Sequence, residues 1–205
     1  MAKLHYIYGC MGSSKTLRLL ALAHNLKEKG VEYIILKPSK DTRDGENVVK
    51  SRAGIEMQCL SIDGTTDLYK FIKAYNATIS LQMNSELRWV FIDECQFLEP
   101  EQVDQLTDIV DNLGVNVMCY GLRTDFTTKM FPASKRLFEL ADEVEEIKSY
   151  CRCGHNRASI NARLDADGNV VTTGHQIMVG GDDKYVSLCR KCWKKLTRTT
   201  KTEQS

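Results

Sequence analysis

The hydrophobic positions near the start of the chain predict a buried strand, a turn and a helix, in that order. Residues 3–8 are apolar and rich in residues that favour strands, and a turn of glycine and serine follows them. Residues 16–29 carry leucine and alanine at helical spacing, and Gly30 is placed to end that helix. Residues 33–36 predict a second buried strand. A strand–loop–helix–strand order is typical of a βαβ unit and predicts a parallel sheet.

The alternation of strands and helices continues through the middle of the chain. Residues 41–52 are polar and charged without an apolar period, and we predict a loop there. Further strands are predicted at residues 56–60, 87–92 and 115–120, and further helices at residues 67–75, 101–113 and 134–140. The expected fold class is therefore α/β, with a parallel sheet flanked by helices.

The composition changes near Tyr150, where cysteines and glycines fall close together. Residues 157–164 and 170–173 are predicted to pair as a hairpin across Asp167-Gly168, a strong turn signal. The segment after Trp193 is basic and polar, and it predicts a disordered tail. We therefore expect a main domain at residues 1–148, a small cysteine-containing domain at 149–195 and a tail at 196–205.

Charge and composition narrow the class of protein. The 205 residues are 42% hydrophobic and 27% charged, which is ordinary for a folded domain with a sizeable core. A formal net charge of +1 argues against binding nucleic acid by bulk electrostatics. No apolar run approaches a membrane span or the core of a signal peptide. We therefore expect no nucleic-acid or membrane partner and a cytoplasmic location, where metal ligation explains eight cysteines better than disulfides do.

The glycine and serine turn carries most of the G-x-x-x-x-G-K-[S/T] pattern of a phosphate-binding loop, with Ser14 in place of the second glycine. Backbone N–H groups of such a loop hold phosphate oxygens, Lys15 would neutralise the β and γ phosphates, and Thr16 would bind Mg²⁺. If the site needs a positive φ, Ser14 carries a strain of roughly 1 kcal/mol. A turn that merely starts a helix is the simpler alternative, but the place between strand and helix favours a phosphate site. The candidate residues are Gly9, Cys10, Met11, Gly12, Ser13, Ser14, Lys15 and Thr16.

Two acidic residues, Asp93 and Glu94, follow the apolar strand predicted at residues 87–92. Carboxylates at the end of a buried strand emerge at the sheet edge where α/β proteins bind ligands. Asp93 would hold Mg²⁺ through water, which leaves Glu94 to orient a water molecule or to take a proton from an attacking hydroxyl. The alternative is an acidic helix cap.

Four of the cysteines form two close pairs, which predicts a tetrahedral and purely structural zinc site. Basic neighbours favour their thiolates, and His155 is a possible substitute ligand. The alternative is a set of reduced thiols. The candidate zinc ligands are Cys151, Cys153, Cys189 and Cys192.

Taken with these sites, several stretches resemble the zinc-containing, P-loop thymidine kinase family of cellular and bacterial type II members. The similarity runs from Leu4 to Trp193. It rests on KPSKDTR at residues 37–43, SRAG at 51–54, DECQF at 93–97, YGLRTDF at 120–126, and the glycine pair at 180–181 followed by Tyr185 and the last two cysteines. The resemblance implies a P-loop NTPase-like fold with a small zinc-bound lasso domain.

The resemblance also implies a reaction, in which the γ-phosphoryl group of ATP moves to the 5′-hydroxyl of thymidine to give dTMP in pyrimidine salvage. Deoxyuridine differs by one methyl group and is an expected second substrate. The implied cofactors are ATP, Mg²⁺ held by Thr16 and Asp93, and structural Zn²⁺. A homotetramer and feedback inhibition by dTTP are implied as well.

Site residues follow from the same resemblance, with Glu94 as the general base. Those implied to contact the nucleotide and its metal are the loop residues together with Asp41, Thr42, Arg43, Asp93, Glu94, Cys95 and Gln96. Those implied to contact the nucleoside are Met11, Leu122, Phe126, Phe131, Gln176, Ile177, Met178, Val179, Gly180 and Tyr185.

Two other functions compete with this one. Asp93-Glu94-Cys95 resembles a helicase acidic box, so the chain could be a fragment of a nucleic-acid-stimulated P-loop ATPase. A zinc-ribbon binding module without enzymatic activity would have no use for Lys15. Neither alternative accounts for the ordered set of motifs.

Overall fold

A computed structural model describes residues 1–43, 45, 47–174 and 185–202, with the side chains described as far as residue 197. The strands are β1 (Leu4–Gly9), β2 (Glu32–Pro38), β3 (Val48–Lys50), β4 (Glu56–Gln58), β5 (Leu60–Ile62), β6 (Leu87–Ile92), β7 (Asn116–Gly121), β8 (Glu143–Ile147), β9 (Ile160–Leu164), β10 (Val170–Val171) and β11 (Tyr185–Leu188). The helices are α1 (Lys15–Glu28), α2 (Leu68–Met83), α3 (Pro100–Leu113), α4 (Pro132–Leu140) and α5 (Arg190–Thr202), with a 3₁₀ turn at Cys95–Phe97. No described helix combines the length and the apolar character needed to cross a membrane.

The main domain is built on a six-stranded parallel sheet in the order β5-β2-β6-β7-β1-β8. Successive side chains of a strand point to opposite faces. Accordingly Ile35 and Phe91 pack with Leu19 of α1, whereas their strand neighbours belong to a second core that includes Val103 of α3 and Leu137 of α4. The predicted α/β fold, with a parallel sheet flanked by helices, is confirmed.

Four predictions for the main domain differ from the structure. The single strand predicted at residues 56–60 is divided into β4, in a two-stranded sheet, and β5, at the edge of the parallel sheet. β3 lies inside the predicted loop at residues 41–52, where it pairs with β4 as a short antiparallel ribbon. Helix α2 extends to Met83, eight residues beyond the predicted end, because Ile79 stays buried against the core. Strand β8 was not predicted: its sequence is EVEEI, and it lies exposed at the edge of the sheet beside β1.

The C-terminal part forms a second, antiparallel sheet in the order β10-β9-β11. β9 and β10 pair as the predicted hairpin, with Gly168 at a φ of 83° in the turn. Helix α5 continues to Thr202 and so runs into the tail predicted at residues 196–205. Trp193 and Leu196 of α5 pack on a small apolar core with Leu188, which holds the helix in place. Residues 203–205 lie outside the described residues.

Candidate active site

A cavity of about 520 Å³ opens at the carboxyl ends of β1, β2, β6 and β7. Ligands of parallel α/β sheets bind at this edge, and the volume suits a small-molecule site. Most of the residues predicted from the sequence line it together. These are Met11, Gly12, Ser13, Ser14, Lys15, Thr16, Asp41, Arg43, Asp93, Glu94, Gln96, Leu122, Phe126, Phe131 and Tyr185.

Four predicted residues, Gly9, Cys10, Thr42 and Cys95, are absent from the described lining of this cavity. Gly9 ends β1, where a Cβ would collide with Ser13 Oγ and lie 2.6 Å from the carbonyl oxygen of Ile147. Its contribution is therefore to let the loop approach the sheet closely. Cys95 is fully buried behind the site. The predicted nucleoside contacts Gln176, Ile177, Met178, Val179 and Gly180 lie outside the described residues.

The phosphate-binding loop reaches helix α1 through two residues with left-handed backbone. Gly12 has a φ of 74°, and Ser14, the residue that caps α1, has φ 64° and ψ 27°. The position that normally carries glycine therefore does need a positive φ, and a serine occupies it with the strain that this conformation imposes.

Lys15 is buried at the centre of the loop. Its Nζ donates hydrogen bonds to the carbonyl oxygens of Gly9 at 3.1 Å and Cys10 at 2.9 Å. Burial lowers the pKa of Lys15, and the carboxylates of Glu94 and Asp93 oppose that effect. A positive charge held by loop carbonyls beside these acids is placed to neutralise a phosphate group.

Thr16 and Asp93 meet where α1 begins beside the end of β6. Thr16 Oγ1 donates a 3.0 Å hydrogen bond to Asp93 Oδ2, whereas the buried Oδ1 has no hydrogen-bond partner among the described residues. Burial and the neighbouring Glu94 raise the pKa of Asp93 to about 7. Buried polar atoms are nearly always partnered. An unpartnered carboxylate oxygen beside a hydroxyl therefore fits a Mg²⁺ ion with its waters.

Glu94 is held in place on both of its carboxylate oxygens. Arg43 Nη2 lies 2.6 Å from Oε1, and Gln96 Nε2 donates a 2.5 Å hydrogen bond to Oε2. Its backbone is left-handed, with φ 50° and ψ 40°, a strain typical of functional sites. Burial alone would raise the pKa of Glu94. The charges of Arg43 and Lys15 and the hydrogen bond from Gln96 outweigh this effect, so the net shift of the pKa is downward. The group is therefore a carboxylate at neutral pH.

Gln96 also connects Glu94 to the apolar wall of the cavity. Its Oε1 accepts a 2.9 Å hydrogen bond from the backbone N–H of Leu122. The wall continues with Phe126, whose ring carries the guanidinium of Arg163 at 3.7 Å from its centre, and with Phe131. The site thus combines a cationic loop, a charged carboxylate and an apolar surface within one cavity.

The four predicted zinc ligands come together in the C-terminal part. The Sγ atoms of Cys151, Cys153, Cys189 and Cys192 all lie within 4.8 Å of one another. Tetrahedral Zn–S bonds of ~2.3 Å place sulfurs about 3.8 Å apart, so the cluster fits this ion. Backbone N–H groups lower the pKa of Cys153 to about 6, whereas neighbouring sulfurs raise the pKa of Cys192 to about 12.

Comparison with known proteins supports the resemblance seen in the sequence. A family model described as thymidine kinase matches residues 2–193. The chain is 46% identical over 198 residues to the thymidine kinase of Enterobacteria phage T4, covering 97% of this chain and 98% of that protein. It is 43% identical over 193 residues to the thymidine kinase of Agrobacterium fabrum, covering 94% and 96%. The chain belongs to the thymidine kinase family.

Membership of the thymidine kinase family supports neither a nucleic-acid-stimulated ATPase nor a zinc-ribbon binding module. Among solved structures, the Pif1 helicase of Candida albicans superposes with a TM-score of 0.43 and 17% identity, over 72% of this chain and 36% of that protein. This likeness is too small to bear on function. The kinases of the family are ATP-dependent, which agrees with the loop and the acidic pair described here.

Among the cavity-lining residues that were not predicted as site residues, two contact the phosphate-binding loop. Arg52 lies over the loop, so that a Cβ on Gly12 would be 3.0 Å from its Nη1; its place in the SRAG stretch was an available signal. Asn161 accepts a 2.8 Å hydrogen bond from the backbone N–H of Met11. No local pattern marks Asn161, because its partner lies 150 residues earlier.

Proposed function

We propose that this chain transfers the γ-phosphoryl group of ATP to the 5′-hydroxyl of thymidine, giving dTMP and ADP, with deoxyuridine as a second substrate. The observation that most supports this reaction is the position of Glu94. Its carboxylate is charged at neutral pH and lies in the same cavity as the phosphate-binding loop and the apolar wall. A base between a phosphate site and a nucleobase site is what a nucleoside kinase requires.

In the proposed reaction, the loop N–H groups and Lys15 bind the phosphates of ATP. Glu94 accepts the proton of the 5′-hydroxyl as its oxygen forms a bond to the γ-phosphorus, and the bond from that phosphorus to the leaving ADP oxygen breaks. Gln96 and Arg43 keep the carboxylate oriented towards the acceptor. Thr16 and Asp93 would hold Mg²⁺, which supplies charge neutralisation at the β and γ phosphates.

The nucleoside base is proposed to lie against the apolar wall formed by Met11, Leu122, Phe126 and Phe131. Leu122 is well fixed for this purpose, because its carbonyl oxygen accepts hydrogen bonds from Tyr6 at 3.0 Å and from Ser134 at 2.6 Å. The 5-methyl group of thymine needs such an apolar surface. Tyr185, half-buried at the cavity, is proposed to close it, and the contacts of residues 176–180 stay a prediction.

The four cysteines are proposed to bind a structural Zn²⁺, because four thiolates leave no ligand position open for catalysis. The ion would fix the start and the end of residues 149–195, which we propose as a small domain beside the kinase domain at 1–148. Assembly as a homotetramer, feedback inhibition by dTTP and a cytoplasmic location remain predictions.

The proposed function is tested by phosphoryl transfer from ATP–Mg²⁺ to a panel of nucleosides. The wild-type chain should phosphorylate thymidine and deoxyuridine in preference to cytidine and purine nucleosides. Glu94→Gln should lower kcat by about 10²- to 10⁴-fold, while ATP affinity changes little. Glu101→Gln, an exposed glutamate on α3, is the matched control and should retain full activity. A wild-type chain without thymidine phosphorylation would contradict the function, whereas an active Glu94→Gln would contradict only the base.

A further inference from the structure

The peptide groups of Met11 are held from outside the loop by two side chains of the C-terminal sheet. Its N–H donates a 2.8 Å hydrogen bond to Asn161 Oδ1, and its carbonyl oxygen accepts a 2.8 Å hydrogen bond from Ser187 Oγ. Asn161 on β9 and Ser187 on β11 are direct cross-strand partners in that sheet. Both side chains therefore reach Met11 from neighbouring positions on one face.

We infer that Asn161 and Ser187 are positioning residues, which together form a clamp that sets the geometry of the phosphate-binding loop and of the Met11 side chain. This inference rests on the proposed function, because it assigns the clamp a part in ATP binding. The clamp acts through Met11 and is not itself proposed to touch the reacting atoms.

The backbone conformation of the phosphate-binding loop explains why it needs this support. Gly12, the residue after Met11, and Ser14, two residues further on, both have left-handed backbones, a conformation that costs energy in Ser14. Within the loop, the backbone bond from Ser13 N–H to the carbonyl oxygen of Cys10 spans one turn. Because phosphate binding requires several N–H groups to converge, a small rotation at Met11 would misdirect those that follow.

Asn161 is built into the structure as a partner for the loop. The residue is 4% exposed, and both polar atoms of its amide are hydrogen-bonded, since Nδ2 donates to the carbonyl oxygen of Thr124 at 3.4 Å. Thr124 begins a segment that leads into the apolar wall at Phe126. The same amide therefore joins the phosphate-binding loop to the wall on which the nucleoside base is proposed to lie.

The cysteine cluster adjoins the clamp at the end of β11. Ser187 is followed by Leu188 and then by Cys189, a member of the cluster. Leu188 is fully buried in the small core beside Cys151 and Cys189. A metal ion on the four thiols would fix the end of this strand, and with it the position of Ser187 Oγ, which would connect the cluster to the nucleotide site.

Ser187→Ala gives the cleaner test, because Asn161 lines the cavity and Ser187 is not among the described lining residues. We would measure hydrogen–deuterium exchange of peptides covering residues 9–16 and, by calorimetry, the affinity for ATP–Mg²⁺. Loss of one hydrogen bond, worth about 0.5–1.5 kcal/mol, should speed exchange at the loop and weaken ATP binding by about 2- to 13-fold. The KM for ATP should rise more than the KM for thymidine.

Three further variants keep the test decisive. Ser159→Ala, next to β9 but with no hydrogen bond from its hydroxyl to the loop among the described residues, should behave as wild type. Asn161→Asp retains the acceptor for Met11 N–H and should preserve loop protection better than Asn161→Ala, even if the latter folds poorly. Unchanged loop exchange and ATP affinity in Ser187→Ala, with normal zinc content, would overturn the clamp. If the wild type fails to phosphorylate thymidine but the loop still responds to Ser187→Ala, the proposed function fails and the clamp stands.

Discussion

The guanidinium of Arg43 lies 2.6 Å from the carboxylate of Glu94. Arg43 is in turn fixed by Asp41, whose Oδ1 accepts a 2.6 Å hydrogen bond from Nε. The ion pair is therefore part of a row of three charged groups, Glu94, Arg43 and Asp41, and Asp41 is buried. Such an arrangement lets a segment after β2 control the protonation of a base after β6.

Replacing Arg43 should shift the pH dependence of the reaction. The pKa of Glu94 is lowered, so its carboxylate stays charged until the pH falls below the ordinary glutamate range. In Arg43→Met, burial would raise that pKa, and the acid limb of kcat should move to higher pH. The measurement is kcat against pH at saturating ATP–Mg²⁺ and thymidine.

Arg43→Lys is the control for this prediction, because it keeps a positive charge near Glu94. Its acid limb should lie closer to that of the wild type, whatever the loss of kcat. An acid limb that does not move in Arg43→Met would show that the ion pair does not set the protonation of Glu94.

Asp93 should make the metal-free protein less stable at neutral pH than at acid pH. Its pKa in the folded protein is raised to about 7, above an unfolded value of about 3.9. The folded state therefore binds the proton more tightly, and stability is lost as the pH rises between these values. Asp93→Asn should thus be more stable than the wild type at pH 8, with a smaller difference at pH 4.5, in thermal unfolding without Mg²⁺.

The exposed Asp108→Asn on α3 is the matched substitution and should follow the wild type at both pH values. Addition of ATP–Mg²⁺ should stabilise the wild type at pH 8 but not Asp93→Asn. Equal stability of wild type and Asp93→Asn across this range would contradict the raised pKa.

Ser14→Gly should stabilise the protein, because glycine adopts a φ of 64° without the steric strain of a Cβ. The gain should reach up to about 1 kcal/mol, or about 2–4 °C in Tm for a chain of this size. The same substitution at Ser80, an exposed position inside α2, should instead destabilise by about 0.5 kcal/mol. Thermal unfolding of the two variants compares them, and a destabilised Ser14→Gly would show that the strain is compensated locally.

Removing one thiol of the cluster should strongly weaken zinc binding. The wild-type protein should carry about one Zn²⁺ per chain, and Cys189→Ser should carry much less and unfold at a lower temperature. Cys59→Ala removes a buried thiol of the main core and should keep its zinc even though it loses some stability. The zinc content of the two variants is measured by mass spectrometry. Full zinc in Cys189→Ser would exclude the four-cysteine site.

The features that the sequence predicted well are those with local signals. The phosphate-binding loop lies between a buried strand and a helix, and β6 is an apolar run that ends in two acids, so neighbouring residues suffice to identify both. Strand β8 lacks such a signal, since its glutamates face solvent and its conformation comes from pairing with β1. The helical end of α5 depends on the packing of Leu196 against a core that forms only in three dimensions.

The site residues that could not be predicted from the sequence are those whose partners lie far away along the chain. Asn161 and Ser187 bond to Met11 across 150 and 176 residues, and no spacing rule links positions so far apart. Arg52 lies over Gly12 from the turn between β3 and β4. Such contacts are set by the arrangement of whole elements rather than by any segment.

The two hydrogen bonds to Met11 have a consequence for folding during synthesis on the ribosome. The phosphate-binding loop leaves the ribosome 176 residues before Ser187, which at 5–20 residues per second is about 9–35 s earlier. Until Ser187 is synthesised, the loop cannot have the two hydrogen bonds from the C-terminal sheet together. A growing chain therefore completes the support of its nucleotide site only after nearly all of the main domain has had time to fold.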